Sequence, residues 1–215
     1  MLITLKLLNR STPKNVSLVI LLLKMCFVFG QKKVVVIDPG HGGIDSGAVG
    51  VNGIYEKDVV LNVAKAILKL NKSFFGNELD IYLTRYNDTL ISLSDRSRLA
   101  KSLNVDVFVS LHCNASPNNS RGMEVYVHHS KNKTSITLGV SILNESTQKL
   151  GIENRGVKFA NFQVLRESIS YCPSVLVEMG FMTNTEEADY FLKHASIRAM
   201  ALAVLIGVIM YLNTG

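Results

Sequence analysis

The chain has 215 residues and a formal net charge of +6 that is unevenly spread. Of its 23 Lys and Arg, four (Lys6, Arg10, Lys14 and Lys24) lie in residues 1–30, which hold no acid, leaving 19 against 17 Asp and Glu. A balance so close to neutral, with no run of basic residues interleaved with aromatics, excludes a nucleic-acid binder driven by charge.

In chain order, the basic residues, the apolar run Val16–Leu23 and small Gly30 fit an export signal over 1–30. Lys24 interrupts the run short of the roughly 20 apolar residues a membrane span needs. An uncleaved anchor and a misplaced start are the alternatives. Residues 31–215 are enough for one domain with its own core. VVVID (34–38) is a continuous apolar run, the mark of a strand covered on both faces. EKDVVLNVAKAILKL (56–70) sets Val60, Val63, Ala64 and Ile67 on one helical stripe, with Glu56 and Asp58 in the first turn, where the helix dipole favours carboxylates. DIYLT (80–84) reads as a strand and SLSDRSRLAKSL (92–103) as a helix capped by Ser92. VDVFVSLH (105–112) is the second buried strand. GMEVYVH (122–128) alternates and is expected nearer an edge.

Residues 134–150 predict a helix with Ile136, Val140 and Leu143 inward and Gly151 at its end. NFQVL (161–165) reads as a short strand and SVLVE (174–178) as the third buried one. NTEEADYFLK and SIRAMALAVLIGVIMYL close the chain as two helices, the second packing under the sheet rather than crossing a bilayer. The alternation predicts an α/β single domain, a twisted mixed, largely parallel sheet of about six strands flanked by helices on both faces. Cys26 lies in the leader, while Cys113 ends one strand and Cys172 precedes another, too far apart to bridge across a parallel sheet. No disulfide is expected.

In an open α/β sheet, ligands sit at the carboxyl ends of strands. The first buried run ends at His41, the second at His112 and the third at Glu178. Glu56 opens the helix after the Gly-rich loop 40–53, and falls at the same rim if that loop folds back. Gly40, Gly42 and Gly43 allow the sharp turn around His41. Two imidazoles and two carboxylates suit one Zn2+: three protein ligands leave the fourth tetrahedral position to water, whose pKa the metal lowers. A further carboxylate off the metal must take the water's proton and pass it to a leaving amine. Glu178 is the natural candidate and Glu56 the ligand, though spacing alone leaves the two interchangeable. Each residue also has a plainer reading. A lone histidine after a strand is commonly a hydrogen-bonded loop residue, and a glutamate in a first helical turn commonly serves the dipole. A carboxylate ending SVLV is harder to place without a partner or a function.

At these residues the chain resembles the zinc-dependent N-acetylmuramoyl-L-alanine amidases of the amidase-3 type, which act in bacterial cell-wall turnover. The likeness runs over 33–212 through VVVIDPGHGGIDSGAVG, GIYEKDVVLNVA, LTRYND, DRSRLA, VDVFVSLHCNA, RGMEVYV, ENRGVKFANFQVLRES and SVLVEMGFMTN. It implies that His41, Glu56 and His112 hold zinc and that Glu178 is the catalytic carboxylate. It further implies hydrolysis of the amide between the lactyl group of N-acetylmuramic acid and L-alanine of the stem peptide. Peptidoglycan is then the partner, met in the periplasm, the cell envelope or outside the cell by a domain expected to be monomeric and without a membrane span. Cys113 stands where the family has alanine, read as a small buried residue, and Lys101 replaces a common asparagine at the surface. Some members carry an inserted helix that plugs the site until an activator removes it. Met123–Gly156 has room for one helix only, so no plug is expected.

Asn114 and Arg166, near strand ends, are candidate substrate contacts. Arg85 and Asp88 are expected to pair in support of the rim, His128 and His129 to be surface residues, and His194 to start a helix. Two other functions use or imitate the same residues: a zinc peptidase or deacetylase, and a cell-wall binding protein without catalysis. The last would show a substitution among His41, Glu56, His112 and Glu178, and none is present.

Overall fold

The structure is a computed structural model and describes residues 32–130 and 133–214; the expected export signal and Cys26 lie outside them. Six strands form one sheet: β1 (Val34–Pro39), β2 (Asp80–Leu83), β3 (Val107–Asn114), β4 (Met123–His128), β5 (Asn154–Ala160) and β6 (Ser174–Phe181). Their order is β2-β1-β3-β6-β4-β5, and every pairing is parallel except β4 with β6. Among the described residues the six helices are α1 (Glu56–Phe74), α2 (Leu93–Leu103), α3 (Lys133–Leu150), α4 (Gln163–Ser168), α5 (Thr185–Leu192) and α6 (His194–Asn213). Residues 33–215 form one compact unit.

Strand parity assigns the faces, because successive side chains point to opposite sides of a sheet. Val35, Ile37, Val107, Val109, Val175 and Val177 join α1, α3 and α6 in the larger core. Val36, Phe108 and Leu176 join Ala100 of α2 and Val164 and Leu165 of α4 in the smaller one. Helices thus cover both faces, as the apolar runs require. The same parity sends Asp38, Ser110, His112 and Glu178 to the α2/α4 side, and His112 lies level with Glu178 in the β3–β6 register.

Helix α6 is long and apolar enough to cross a membrane, yet it packs on α1 and α3 with Met200, Ala201, Val204, Leu205 and Val208 buried. Its approach to α3 is close at Gly207, where a Cβ would stand 2.6 Å from Ile142 Cα. Ser141 Oγ seals the contact by donating to the Gly207 carbonyl at 2.7 Å. Ser92 caps α2 as its sequence predicts, accepting from the Asp95 N–H at 3.2 Å. Cys113 and Cys172 are both free and buried, in different cores on opposite faces.

β4 lies nearer an edge, as expected, one place in from β5. Two expectations are corrected. NFQVL is no strand: Phe162 is the N-cap of α4, and the strand is β5, seven residues upstream. Val140 is exposed, because Gly139 takes the inward position against Val125 and Ile142 and Leu143 follow it.

Gly207→Val forces α3 and α6 apart, and overpacking of this kind costs about 2 kcal/mol. For a domain of this length the melting temperature is expected to fall by roughly 4–8 °C, read by calorimetry.

Candidate metal centre

β1 delivers the chain to Pro39, and the loop beyond it is held by backbone contacts that leave little choice of residue. A Cβ on Gly40 would stand 2.3 Å from the His112 ring, so the loop can lie against that imidazole only without a side chain. His41 itself takes φ 57, a left-handed value uncommon for a residue with a Cβ. A two-way bridge between Gly42 and Asp45 closes the turn, with N···O distances of 2.9 and 3.2 Å. His41 Nδ1 lies 2.8 Å from Asp45 Oδ2, and Asp45 Oδ1 accepts from Gly47 N at 3.0 Å. With a carboxylate on Nδ1, that nitrogen carries the proton and Nε2 is left as the outward lone pair.

Nε2 of His41 lies 3.0 Å from Glu56 Oε1, and His112 Nδ1 lies 2.9 Å from the same oxygen. The imidazoles meet edge to face with centroids 4.8 Å apart. Glu56, the first residue of α1, is buried and further oriented by Ala48 N at 2.8 Å and Cys113 N at 2.9 Å. One donor atom from each of His41, Glu56 and His112 falls within 4.8 Å of the others. Burial alone would raise the Glu56 carboxyl, but the hydrogen bonds and charge of the two histidines drive it far below the usual range. For His41, burial is outweighed by Glu56 and Asp45, which raise it above its ordinary value. Two imidazoles at the wall of a cavity, with a buried carboxylate between them, are the donor set of an open zinc site. These residues fit that ion.

Glu178 shares the cavity wall with His41 and His112. Burial pushes its carboxyl up to about 7, against the pull of His112, while the nearby charges of Glu56 and Glu124 add to the rise. Its Oε2 is buried without a hydrogen-bond partner. The two carboxylates therefore differ in kind: Glu56 is saturated with donors and Glu178 has an idle oxygen. The cavity is about 730 Å³ and runs from the triad to Phe162 and Gln163 on one side and Leu90 to Leu93 on the other.

A buried network supports the loop. Asp38 pairs with Arg96 at 2.7 Å and accepts from Thr84 Oγ1 at 2.6 Å and Ser110 Oγ at 2.7 Å. Arg96 also donates to the carbonyls of Pro39 and His41, each at 2.7 Å. Arg85 does support the rim, but through the carbonyls of Pro39, Gly40 and Lys57 rather than through Asp88. Asp88 instead pairs with Lys57 at 2.7 Å and accepts from Gly43 N. Asn114 is already engaged, donating to the buried Glu124 at 2.8 Å. Arg166 bonds Asn161 and lies outside the cavity lining. His128 and His129 meet edge to face at the end of β4, and His194 opens α6, exposed.

Four residues of the site went unread in the sequence: Asp38, Asp45, Arg96 and Glu124. Asp45 had a legible signal, a carboxylate four residues after a histidine in a glycine-rich turn. The others depend on partners far along the chain.

The family described as Amidase_3, N-acetylmuramoyl-L-alanine amidase, matches residues 35–210. The chain belongs to this family. It is 33% identical over 229 residues to the amidase AmiA of Escherichia coli, covering 86% of this chain and 78% of that one. The solved amidase AmiC2 of Nostoc punctiforme superposes with a TM-score of 0.78 at 36% identity, over 86% of this chain and 99% of its own. The CwlD amidase of Clostridioides difficile, solved in complex with the GerS lipoprotein, gives 0.79 at 26% identity, over 86% and 100%. The protein is a peptidoglycan hydrolase that cleaves between N-acetylmuramic acid and L-alanine of the stem peptide.

Losing the carboxylate that orients a ligating histidine typically weakens metal affinity about 10- to 100-fold. Asp45→Asn is expected to show that loss in a competition titration against a zinc chelator, with the fold unchanged by circular dichroism.

Proposed function

We propose that this amidase holds a single zinc ion on His41, Glu56 and His112 and uses Glu178 to carry the proton of the reaction. The observation that carries the assignment is the contrast between the two carboxylates, one with its oxygens filled by donors and one with a buried oxygen unpaired. When bound, zinc acidifies a water and polarises the amide carbonyl. His41 and His112 offer the ion neutral nitrogens, and Asp45 fixes the tautomer of the first. Glu178 takes the proton of the attacking water on its idle oxygen. It then returns that proton to the departing amino group of L-alanine, so the amide is cut and the carboxyl is restored. A carboxyl raised toward neutrality by burial suits both halves of this exchange, and a cation beside it favours the ionised form needed first.

The chain acts on a wall polymer, and we infer that residues 1–30 export it to the envelope or beyond. Among the described residues, the β4–β5 connection contributes nothing to the cavity lining; its helix α3 lies against α6 on the far side of the sheet. The domain is therefore expected to work as a monomer without an activator. Arg166 is not carried forward as a substrate contact, and Asn114 acts through Glu124.

Glu178→Gln is expected to retain zinc by elemental analysis while turnover falls by about 10³-fold or more, given what a proton carrier and its positioning contribute. Retained turnover would remove Glu178 from the mechanism. His41→Ala and His112→Ala are expected to lose the metal itself.

Chelation should stop the release of stem peptides beginning with L-alanine from purified sacculi, with glycan strands left uncut, and zinc should restore it. A purified domain that stays silent on sacculi until a second protein is added would overturn the activator-free reading.

A further inference from the structure

A second cavity lies away from the metal centre, between α1 and the α5–α6 corner. It measures about 350 Å³, and its lining includes Lys65, Lys69, His194 and Arg198 with no acidic residue. Its floor is apolar, formed by buried Leu70, Phe191 and Ile197. Helical rise places Lys65 and Lys69 roughly 14–20 Å along α1 from Glu56, and the two cavities share no lining residue.

Three features separate it from an ordinary solvated helix face. Within the described residues, neither lysine has an ion pair or hydrogen bond, whereas Lys33, Lys57 and Lys158 all have carboxylate partners. Lys72 and Lys193 stand on the same two helices' approaches and add to the positive field. Large apolar side chains flank the cations: Leu192 is 59% and Phe74 66% exposed, and Arg198 lies 5.2 Å over the Phe74 ring. Cations without counter-charges, next to exposed apolar groups, complement a ligand that is anionic at one end and apolar at the other. A soluble polyanion would use the lysines and leave Leu192 and Phe74 unexplained.

We propose that the cavity formed by Lys65, Lys69 and Arg198, flanked by Leu192 and Phe74, docks the domain onto an anionic phospholipid surface. The headgroup phosphate meets the cations, and the two apolar side chains enter the boundary of the acyl region. Lysines near such a surface contribute about fivefold each in affinity, and the attraction is screened by salt.

The relatives of matching length are solved as separate chains, so residues 33–215 can be tested apart from the leader. The experiment is co-sedimentation of that domain with vesicles of phosphatidylglycerol and phosphatidylcholine, and with phosphatidylcholine alone. Binding to the anionic vesicles only is expected, falling by more than roughly 30-fold in Lys65→Glu/Lys69→Glu, since loss of two cations alone accounts for that factor and the new carboxylates are repelled. Leu192→Ala/Phe74→Ala should also weaken vesicle binding, and both double variants should digest detached sacculi like the parent. An equal loss in Lys101→Glu/Lys149→Glu, elsewhere on the surface, would show that overall charge is responsible and overturn the proposal. So would displacement from the vesicles by millimolar glycerol phosphate, or binding that survives all the substitutions.

Discussion

The carboxylate of Asp38 is buried next to the end of the most apolar strand, and the loop that carries His41 depends on how it is satisfied. Two hydroxyls and the guanidinium of Arg96 fill its oxygens. The same guanidinium then holds the carbonyls of Pro39 and His41, so the pair that neutralises a buried charge also sets the path of the backbone. Breaking such a pair by removing one partner typically costs about 3–5 kcal/mol, since the survivor is left charged and dry. Here the damage would reach His41 directly. The left-handed turn at that residue is a strained conformation kept in place by Arg96, Arg85 and the Gly42–Asp45 bridge together.

From that fixed loop, the distinction between the two glutamates follows. Glu56 arrives from a helix start, where backbone N–H groups and two imidazoles surround it. Glu178 arrives from a strand, where its backbone is committed to the sheet and its side chain meets no donor for Oε2. One fold thus presents the same chemical group twice beside His112, as a stable anion and as a carboxyl near neutrality. That difference is environmental and could not be read from either residue's identity.

Much of the fold was legible because three strands are buried on both faces, and such runs leave no polar positions to confuse the reading. The polar residues that close those apolar runs, His41, His112 and Glu178, stood out for the same reason. β5 was missed because an edge strand carrying Arg155 and Lys158 needs no continuous apolar run, which let NFQVL claim the assignment. Asp38 and Arg96 were hidden by separation: their meaning lies in a contact 58 residues apart. Asn114 looked available for substrate until Glu124 was seen to occupy it.

The reversed direction of β4 relative to β6 has a bearing on how this domain could acquire control. Because β4 and β5 run opposite to the other four strands, β5 begins level with Met123, at the end of the sheet where Glu124 meets Glu178. Chain added between α3 and β5, around Gly151–Glu153, would emerge beside the cleft; chain added after His128 would emerge at the opposite end. A regulatory graft is thus sterically cheap at one junction and inert at the other, a bias set by strand polarity before any particular graft exists.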